Sequence, residues 1–213
     1  MRFDTDAFPA NQIYKLLTAT VVPRPIAWVS TRSASDVANL APFSFFNVMG
    51  DEPPILAVGI NRGARGMKDT ARNIIDTGAF VVNLVPFDLA QAMNLTAIDA
   101  PPGVSEFDLA GLTAAPAQHV TAPLLAESPV HFECVTHASL VTGPEQILAV
   151  GRILAVHVDD RFIKDAARGH VDSVALDLIG RGGGTAYLRG SDWFSMTRPT
   201  WAEHQAESAN SGA

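Results

Sequence analysis

A two-residue alternation of apolar and polar positions dominates this chain and predicts strands. In PRPIAWVST (23–31) the prolines hold the backbone extended, so Ile26, Trp28 and Ser30 share one face. The opposite face then carries Ala27, Val29 and Thr31. After a turn-rich connector, NLAPFSFFNVM resumes the extended pattern, with Phe43, Phe45 and Asn47 expected on one face. Further strands are predicted for ILAVGI (55–60), AFVVNLV (79–85), HFECVTHASLV (131–141), QILAVGRILAVHV (146–158) and, less regularly, 186–196.

Helical spacing is confined to short stretches. ANQIYKLLTA (10–19) predicts an amphipathic helix, and DLAQAMNLTA predicts a shorter helical piece. MKDTARNIIDTG predicts a helix with Asp69 or Thr70 as its cap and Gly78 as its end. Because helices are missing between 26 and 60, a parallel α/β sheet is disfavoured. The pattern predicts a mainly β fold, a barrel or sandwich with a few peripheral α-helices.

Length and composition constrain the number of domains, the kinds of partner and the cellular compartment. A chain of 213 residues suits one domain, expected over 1–200, with a polar and flexible tail at 201–213. A net charge of −7 with only 3 lysines disfavours nucleic acid as a partner, since the phosphate backbone requires a basic face. The N-terminus lacks a signal-peptide pattern, and no apolar run approaches membrane-spanning length, so we expect a soluble cytoplasmic protein. Cys134 is the single cysteine, which excludes an internal disulfide.

The segment NLAPFSFFNV combines aromatic, hydroxyl and amide side chains. The strand before it ends in the hydroxyls of Ser30 and Thr31, and Lys68-Asp69-Thr70 begins a predicted helix, whose free N–H groups favour an anion. Such parts suit a flat aromatic ligand carrying a phosphate, as in FMN. The competing interpretation is structural: the phenylalanines fill the core, Asn47 ends a strand and the Lys-Asp-Thr triplet caps a helix.

Other polar clusters have weaker chemical interpretations. His131, Glu133 and His137 would share a strand face, but His131 and His137 would lie roughly 20 Å apart, too far for one metal ion. GRGGGTAYLRG lacks the Lys-Ser/Thr ending of a phosphate-binding loop and is interpreted as a close-packed loop. We therefore predict no metal site, and no catalytic residue is assigned.

Several blocks, in their order and spacing, resemble the flavin reductase-like family with the FMN-binding split-barrel fold. They are TVVPRPIAWVSTRS, NLAPFSFFNVM, EPP, KDTARNI and FVVNL, followed by MNLTA, EFDLAGLT, ESPVHFEC, VGRILAVHV and GGGTAYLRGSDWFSMTRP. The resemblance covers nearly all of residues 10 to 199. It implies a Greek-key split barrel that forms a homodimer, with the flavin near the subunit interface.

The resemblance also implies roles for individual residues. Ser30 and Thr31 are expected to bind the phosphate, and Lys68 with Thr70 and the adjoining Asp69 to complete the anion site. Arg24 is a second candidate cation, with a surface ion pair as its alternative role. The residues expected to line the flavin ring and ribityl chain are Ser44, Phe45 and Asn47.

Two departures from the family pattern bear on activity. The turn at Met49 to Glu52 lacks the family's serine, and Gln146 stands where short flavin reductases carry a histidine. The expected function is an FMN-binding oxidoreductase, an NAD(P)H:flavin reductase that could supply a partner monooxygenase, with FAD as a possible flavin. One alternative is a flavin-binding carrier, sensor or electron-transfer protein without NAD(P)H turnover. A second alternative is an oxidase or oxygenase whose small organic substrate is enclosed by residues 86–129. A third alternative is a protein-interaction module that binds no flavin.

Overall fold

The structure is a computed structural model that describes residues 1–101, 103–190 and 192–205. The α-helices are α1 (Ala10–Thr20), α2 (Asp69–Thr77), α3 (Ala90–Leu95) and α4 (Glu106–Ala110), and residues 201–205 are also helical. The strands are β1 (Arg24–Pro25), β2 (Ala27–Arg32), β3 (Ala38–Phe43), β4 (Phe46–Asp51), β5 (Pro54–Ile60), β6 (Ala79–Asn83), β7 (Ala114–Ala115), β8 (Leu124–Leu125), β9 (Val130–Gly143), β10 (Gln146–Val158), β11 (Ile163–Asp165), β12 (His170–Val171), β13 (Ile179–Arg181) and β14 (Tyr187–Arg189).

Seven strands form an antiparallel sheet in the order β3-β2-β6-β9-β10-β5-β4. The two outer strands are halves of one bent segment, because only Ser44 and Phe45 separate β3 from β4. At this bend the carbonyl of Phe45 accepts a hydrogen bond of 2.7 Å from the N–H of Gly59. The bend therefore closes the sheet into a barrel. The first strands form a meander, and β6 returns to pair with β2, which gives the Greek-key connection. The predicted mainly β split barrel is confirmed.

Strand β2 is buried on both of its faces. Ala27 and Val29 point into the barrel core with Phe80, whereas Trp28 packs outside the barrel with Met93 of α3. The indole N–H of Trp28 donates a 2.8 Å hydrogen bond to the hydroxyl of Thr96, so this large side chain is both buried and satisfied. The alternation predicted from PRPIAWVST is confirmed, and it places α3 and α4 over the outer face of β2.

Three local predictions are wrong. NLAPFSFFNVM is not one strand, because the bend at Ser44 and Phe45 shifts the alternation. Phe43 lies in the core and Phe46 packs against it, while the Phe45 ring lies outside, with its centroid 6.1 Å from that of Tyr14. Helix α2 begins at Asp69 with Lys68 in the cap position, and no side chain caps it.

The third difference lies near the C-terminus, where only Tyr187–Arg189 of the predicted strand 186–196 is a strand among its described residues. Of the predicted flexible tail, residues 201–205 are helical, and 206–213 lie outside the described residues. Within the ranges that the structure describes, no helix is long and apolar enough to cross a membrane.

Candidate functional site

A groove runs between the bent segment, the start of α2 and α3. It joins two cavities of about 250 and 220 Å³ that share Pro42 and Ala97 in their walls. We call its two ends the lysine end, lined by Arg62, Lys68 and Thr70, and the tyrosine end. The tyrosine end is lined by Tyr14, Ser44, Asn94, Arg181 and Tyr187.

The lysine end is rich in unengaged donors. Lys68 directly precedes α2, and its ammonium lies 5.4 Å from the centroid of the Phe43 ring. No carboxylate forms an ion pair with Lys68 among the described residues. Because the cap residue Lys68 makes no side-chain hydrogen bond to the start of α2, the N–H groups of the first turn are left for another acceptor. This end is suited to an anion the size of a phosphate.

Two amide side chains organise the wall beneath this end. The amide of Asn39 donates a 3.1 Å hydrogen bond to the hydroxyl of Thr70, which is 1% exposed. The amide of Asn73 donates a 2.9 Å hydrogen bond to the hydroxyl of Thr31, which is fully buried. These bonds dock α2 on the barrel and thereby set the position of Lys68.

Glu106, the first residue of α4, also lines the lysine end. Its carboxylate accepts a 3.0 Å hydrogen bond from the N–H of Leu40. Burial raises the pKa of Glu106 against the lowering effect of this hydrogen bond, and the nearby charge of Asp69 raises it further. Glu106 and Asp69 therefore place two carboxyl groups in the wall of the lysine end, beside Lys68.

Arg24 lies behind the tyrosine end and is 6% exposed. Its guanidinium donates to the carbonyls of Thr18 (2.6 Å), Val21 (2.7 Å) and Gly182 (2.8 Å). Its Nε donates to the hydroxyl of Ser44 at 3.3 Å. Arg24 therefore ties the end of α1 and the glycine-rich loop to the bend, and the alternative of a surface ion pair is wrong.

Four of the predicted site residues come together, since Ser44, Lys68, Asp69 and Thr70 line the groove. The five others, among them Arg24 behind the tyrosine end, do not line it. Ser30 is fully buried; its hydroxyl donates 2.5 Å to the carbonyl of Pro123 and accepts from Asn83.

Thr31 faces α2 from the other side of β2, because neighbouring residues on a strand point in opposite directions. The Ser30 hydroxyl bonds to Pro123 and the Thr31 hydroxyl to Asn73, so neither side chain lines the groove with Lys68. Phe45 packs beside Tyr14, and exposed Asn47 borders a separate cleft with Val48.

Sequence reasoning missed several lining residues. Arg62, Asn94 and Glu106 come from loops and short helices whose place could not be read from periodicity. Arg181 and Tyr187 lie in GRGGGTAYLRG, whose glycine-rich pattern predicts only a close-packed loop. That interpretation holds for Gly183, where an added Cβ would lie 3.3 Å from the Cα of Ala19. The arginine and tyrosine beside these glycines were the available signal.

A second polar network lies away from the groove, between β9 and β10. The fully buried carboxylate of Glu133 accepts from the N–H groups of Gln118 (3.1 Å) and His119 (2.6 Å) and pairs with His157 at 2.6 Å. Burial alone would raise the pKa of Glu133, but these hydrogen bonds outweigh it and hold the pKa below its usual range. Burial, assisted by the charge of His157, lowers the pKa of His131 to about 4.

These groups hold the 113–129 loop against the barrel rather than forming a reaction centre. His137 is exposed and stands apart from the network. Burial, with the charge of Glu133, raises the pKa of the Cys134 thiol to about 12, so the thiol is unreactive. Gln146 begins β10 and does not line the groove.

The closed Greek-key barrel and its groove, with the Lys68 ammonium at one end and aromatic side chains at the other, define the flavin-binding split-barrel class. The family model described as "Flavin reductase like domain" matches residues 19–174. The chain belongs to this family, whose members are flavin oxidoreductases.

Similar proteins support this assignment along most of the chain. An uncharacterised protein of Deinococcus radiodurans is 43% identical, over 96% of this chain and 92% of the relative. Nitrilotriacetate monooxygenase component B from Bacillus cereus has a TM-score of 0.87 at 31% identity and covers 92% of this chain and 98% of its own. The 2-nitrobenzoate 2-nitroreductase NbaA of Pseudomonas fluorescens has a TM-score of 0.86 at 30% identity, over 94% of this chain and 98% of its own.

Proposed function

We propose that this protein is an FMN-dependent oxidoreductase that oxidises NAD(P)H. The observation that carries the proposal is the groove. It joins an ammonium that no described carboxylate pairs with, and a helix start without a side-chain cap, to aromatic and hydroxyl-bearing walls. When bound, flavin supplies hydride and electron transfer, which explains why the groove needs no acid–base pair. The protein's own part is to hold and orient the two ring systems.

Individual residues fit the parts of FMN. Lys68 and the first-turn N–H groups of α2 are the proposed phosphate ligands. Arg62 lines the same end but is already paired with Glu145 at 3.6 Å. Pro42 and Ile26 offer apolar surface further along the groove. Ser44 accepts from Arg24, so its own O–H is left to donate to the flavin.

The charge beside the lysine end favours FMN over FAD. A cleft of about 470 Å³ adjoins this end and shares Asn39 and Asp69 with it. Among its described lining residues, Asp69 and Arg72 pair with each other at 3.1 Å, so the carboxylate of Asp76 leaves one net negative charge in the cleft. A second phosphate that extended into this cleft would meet the negative charge of Asp76, and FMN has no second phosphate.

The acceptor of the electrons is proposed from the similar structures. The Bacillus cereus neighbour is named as component B of a monooxygenase, which supports a role in supplying reduced flavin to a separate oxygenase. The Pseudomonas fluorescens neighbour is named as a nitroreductase, which supports a second candidate, direct reduction of an organic substrate. A homodimer, with the flavin near the interface, is proposed for either function.

An absorption spectrum of the purified protein, followed by anaerobic NADH or NADPH, tests the proposal. FMN-loaded protein should be yellow and should bleach when the nicotinamide is added. A yellow protein that keeps its colour contradicts the reductase step and leaves the electron-transfer alternative. A preparation that binds neither FMN nor FAD contradicts flavin binding itself.

A further inference from the structure

A third cavity, which we call the side pocket, opens from the tyrosine end of the groove. It has a volume of about 460 Å³ and shares Asn94, Arg181 and Tyr187 with the groove wall. A ligand in the side pocket would therefore lie next to whatever occupies the groove. Its walls also include Phe87, Ile179, Leu188 and Arg189.

The two arginines of the side pocket differ in charge balance. Arg189 is neutralised by Asp177, with Nε to Oδ1 at 2.9 Å and Nη2 to Oδ2 at 2.5 Å, and it stacks 4.0 Å over Phe87. Arg181 lies 4.3 Å over the Tyr187 ring and donates to a backbone carbonyl, that of Gly184, at 2.6 Å. Within the described part of the chain, no carboxylate pairs with Arg181. Its charge is available to a ligand.

The remaining walls combine donors with apolar surface. The Tyr187 hydroxyl donates to the side-chain oxygen of Asn94 at 3.3 Å, which leaves the Asn94 amide N–H₂ to donate into the pocket. Ile179 and Leu188 supply apolar area for a ring. A planar guanidinium recognises a carboxylate through two parallel hydrogen bonds, which a single ammonium cannot do.

We propose that the side pocket binds an aromatic carboxylate, with the carboxylate on Arg181 and Asn94 and the ring against Ile179 and Leu188. Resting on the proposed function, this makes an aromatic acid the organic co-substrate or effector of the flavin in the groove. Because Arg189 is paired with Asp177, the described residues that line the pocket leave one net positive charge, which matches one carboxylate.

Calorimetric titration of benzoate into FMN-loaded and FMN-free protein tests the proposal, with benzamide as the uncharged analogue. We expect benzoate to bind more tightly than benzamide. Arg181→Gln should weaken benzoate binding about tenfold or more, the loss typical of a charge-assisted hydrogen bond. The benzoate affinity of Arg181→Lys should lie between those of the unmodified protein and Arg181→Gln, because lysine keeps the charge but cannot form two parallel hydrogen bonds. Arg168→Gln, at an exposed arginine outside the pocket, should leave benzoate binding unchanged.

Equal affinity for benzoate and benzamide, or an unchanged benzoate affinity in Arg181→Gln, overturns the proposal. So does tighter binding of inorganic pyrophosphate than of benzoate, which would assign the pocket to a dinucleotide. If Arg181→Gln does not fold, Leu188→Glu decides the matter, because a carboxylate in the wall must repel benzoate. FMN binding is followed separately by flavin fluorescence, so its failure contradicts the proposed function while the FMN-free titration still judges the pocket.

Discussion

Lys68 and Arg24 were both predicted as cations of the binding site, and their surroundings give them different tasks. Lys68 is exposed in the groove without a carboxylate partner in the described structure, so its charge is available to a ligand. Arg24 is buried, and its guanidinium N–H groups donate to carbonyl oxygens of the protein itself. Charge alone therefore does not identify a ligand-binding residue; the unused donors do.

Lys68→Gln should weaken FMN binding about tenfold or more and leave riboflavin binding unchanged, because riboflavin lacks the phosphate. The measurement is quenching of flavin fluorescence at low ionic strength, where the charge contribution is largest. Lys164→Gln is the matched control, since Lys164 pairs with Asp172 at 2.9 Å away from the groove. An equal loss for riboflavin would show that Lys68 does not act through the phosphate.

Arg24→Gln should lower the free energy of unfolding by about 3 kcal/mol, because buried carbonyls lose a charged donor. Arg24→Lys should recover little of this, since one ammonium cannot reach acceptors on α1, the bend and the glycine-rich loop together. Urea unfolding of the three proteins gives the values. A change below about 0.5 kcal/mol in Arg24→Gln would contradict the structural role of the guanidinium.

At the scale of elements, the long strands β9 and β10 shape the barrel through irregularities in their pairing. The pairing register of β9 and β10 changes between Val150 and Gly151, where the side chain of Phe80 packs in the core. An added Cβ at Gly151 would lie 3.1 Å from the Cβ of Cys134 and would overlap the end of the Phe80 ring. Glycine at 151 is therefore a packing requirement of the closed barrel.

Gly151→Ala should destabilise the protein by about 1–3 kcal/mol, the usual cost of overpacking a core. Phe80→Leu removes the ring atoms that the new methyl group would meet. The double variant should accordingly lose less stability than the sum of the two single losses, as measured by urea unfolding. Strict additivity of the two losses would place the strain elsewhere than against Phe80.

At the scale of the whole molecule, the buried histidine and glutamate make stability depend on pH. The unfolded chain protonates His131 below about pH 6.5, whereas the folded protein keeps it neutral down to about 4. Acidification through this window therefore favours the unfolded chain. The lowered pKa of Glu133 acts in the same direction below its ordinary value of 4.5.

The free energy of unfolding should fall by about 3 kcal/mol between pH 6.5 and 4 on account of His131. His131→Gln removes the titrating ring. The free energy of unfolding of this variant should therefore fall by less between pH 6.5 and 4, whatever its value at pH 7. Urea unfolding at several pH values between 4 and 8 measures both curves. Parallel curves for the two proteins would contradict the assignment to His131.

Apolar side chains left on the surface support the proposed homodimer. Val48 and Met49 on β4 are 55% and 59% exposed, and Phe194 and Met196 are each 83% exposed. Large apolar side chains that remain uncovered in one chain commonly mark a contact with another.

Sedimentation equilibrium should accordingly give about twice the chain mass of 22.6 kDa. Met49→Lys should weaken the dimer, because a charge would be buried at the contact. Val174→Lys, at a residue equally exposed but in a loop, should leave the dimer unchanged. A monomeric mass for the unmodified protein would contradict the dimer.

The sequence by itself determined the long strands, helices α1 and α2, and the class of the fold. Alternation in PRPIAWVST and the apolar run ILAVGI predicted β2 and β5, because a strand buried on one or both faces must place apolar residues at fixed intervals. The ordered family blocks then indicated the split barrel. Both kinds of signal are local or cumulative along the chain, so neither needs the positions of distant residues.

Only the tertiary structure decided which side chains share the groove. Ser30 and Thr31 are neighbours in sequence but face opposite sides of β2, whereas Lys68 and Glu106 are far apart in sequence and line one cavity. The bend at Ser44 also turned Phe45 outward, against the alternation expected of a regular strand. The periodicity of a segment predicts which of its side chains share a face. The closing of the barrel decides which distant residues that face contacts.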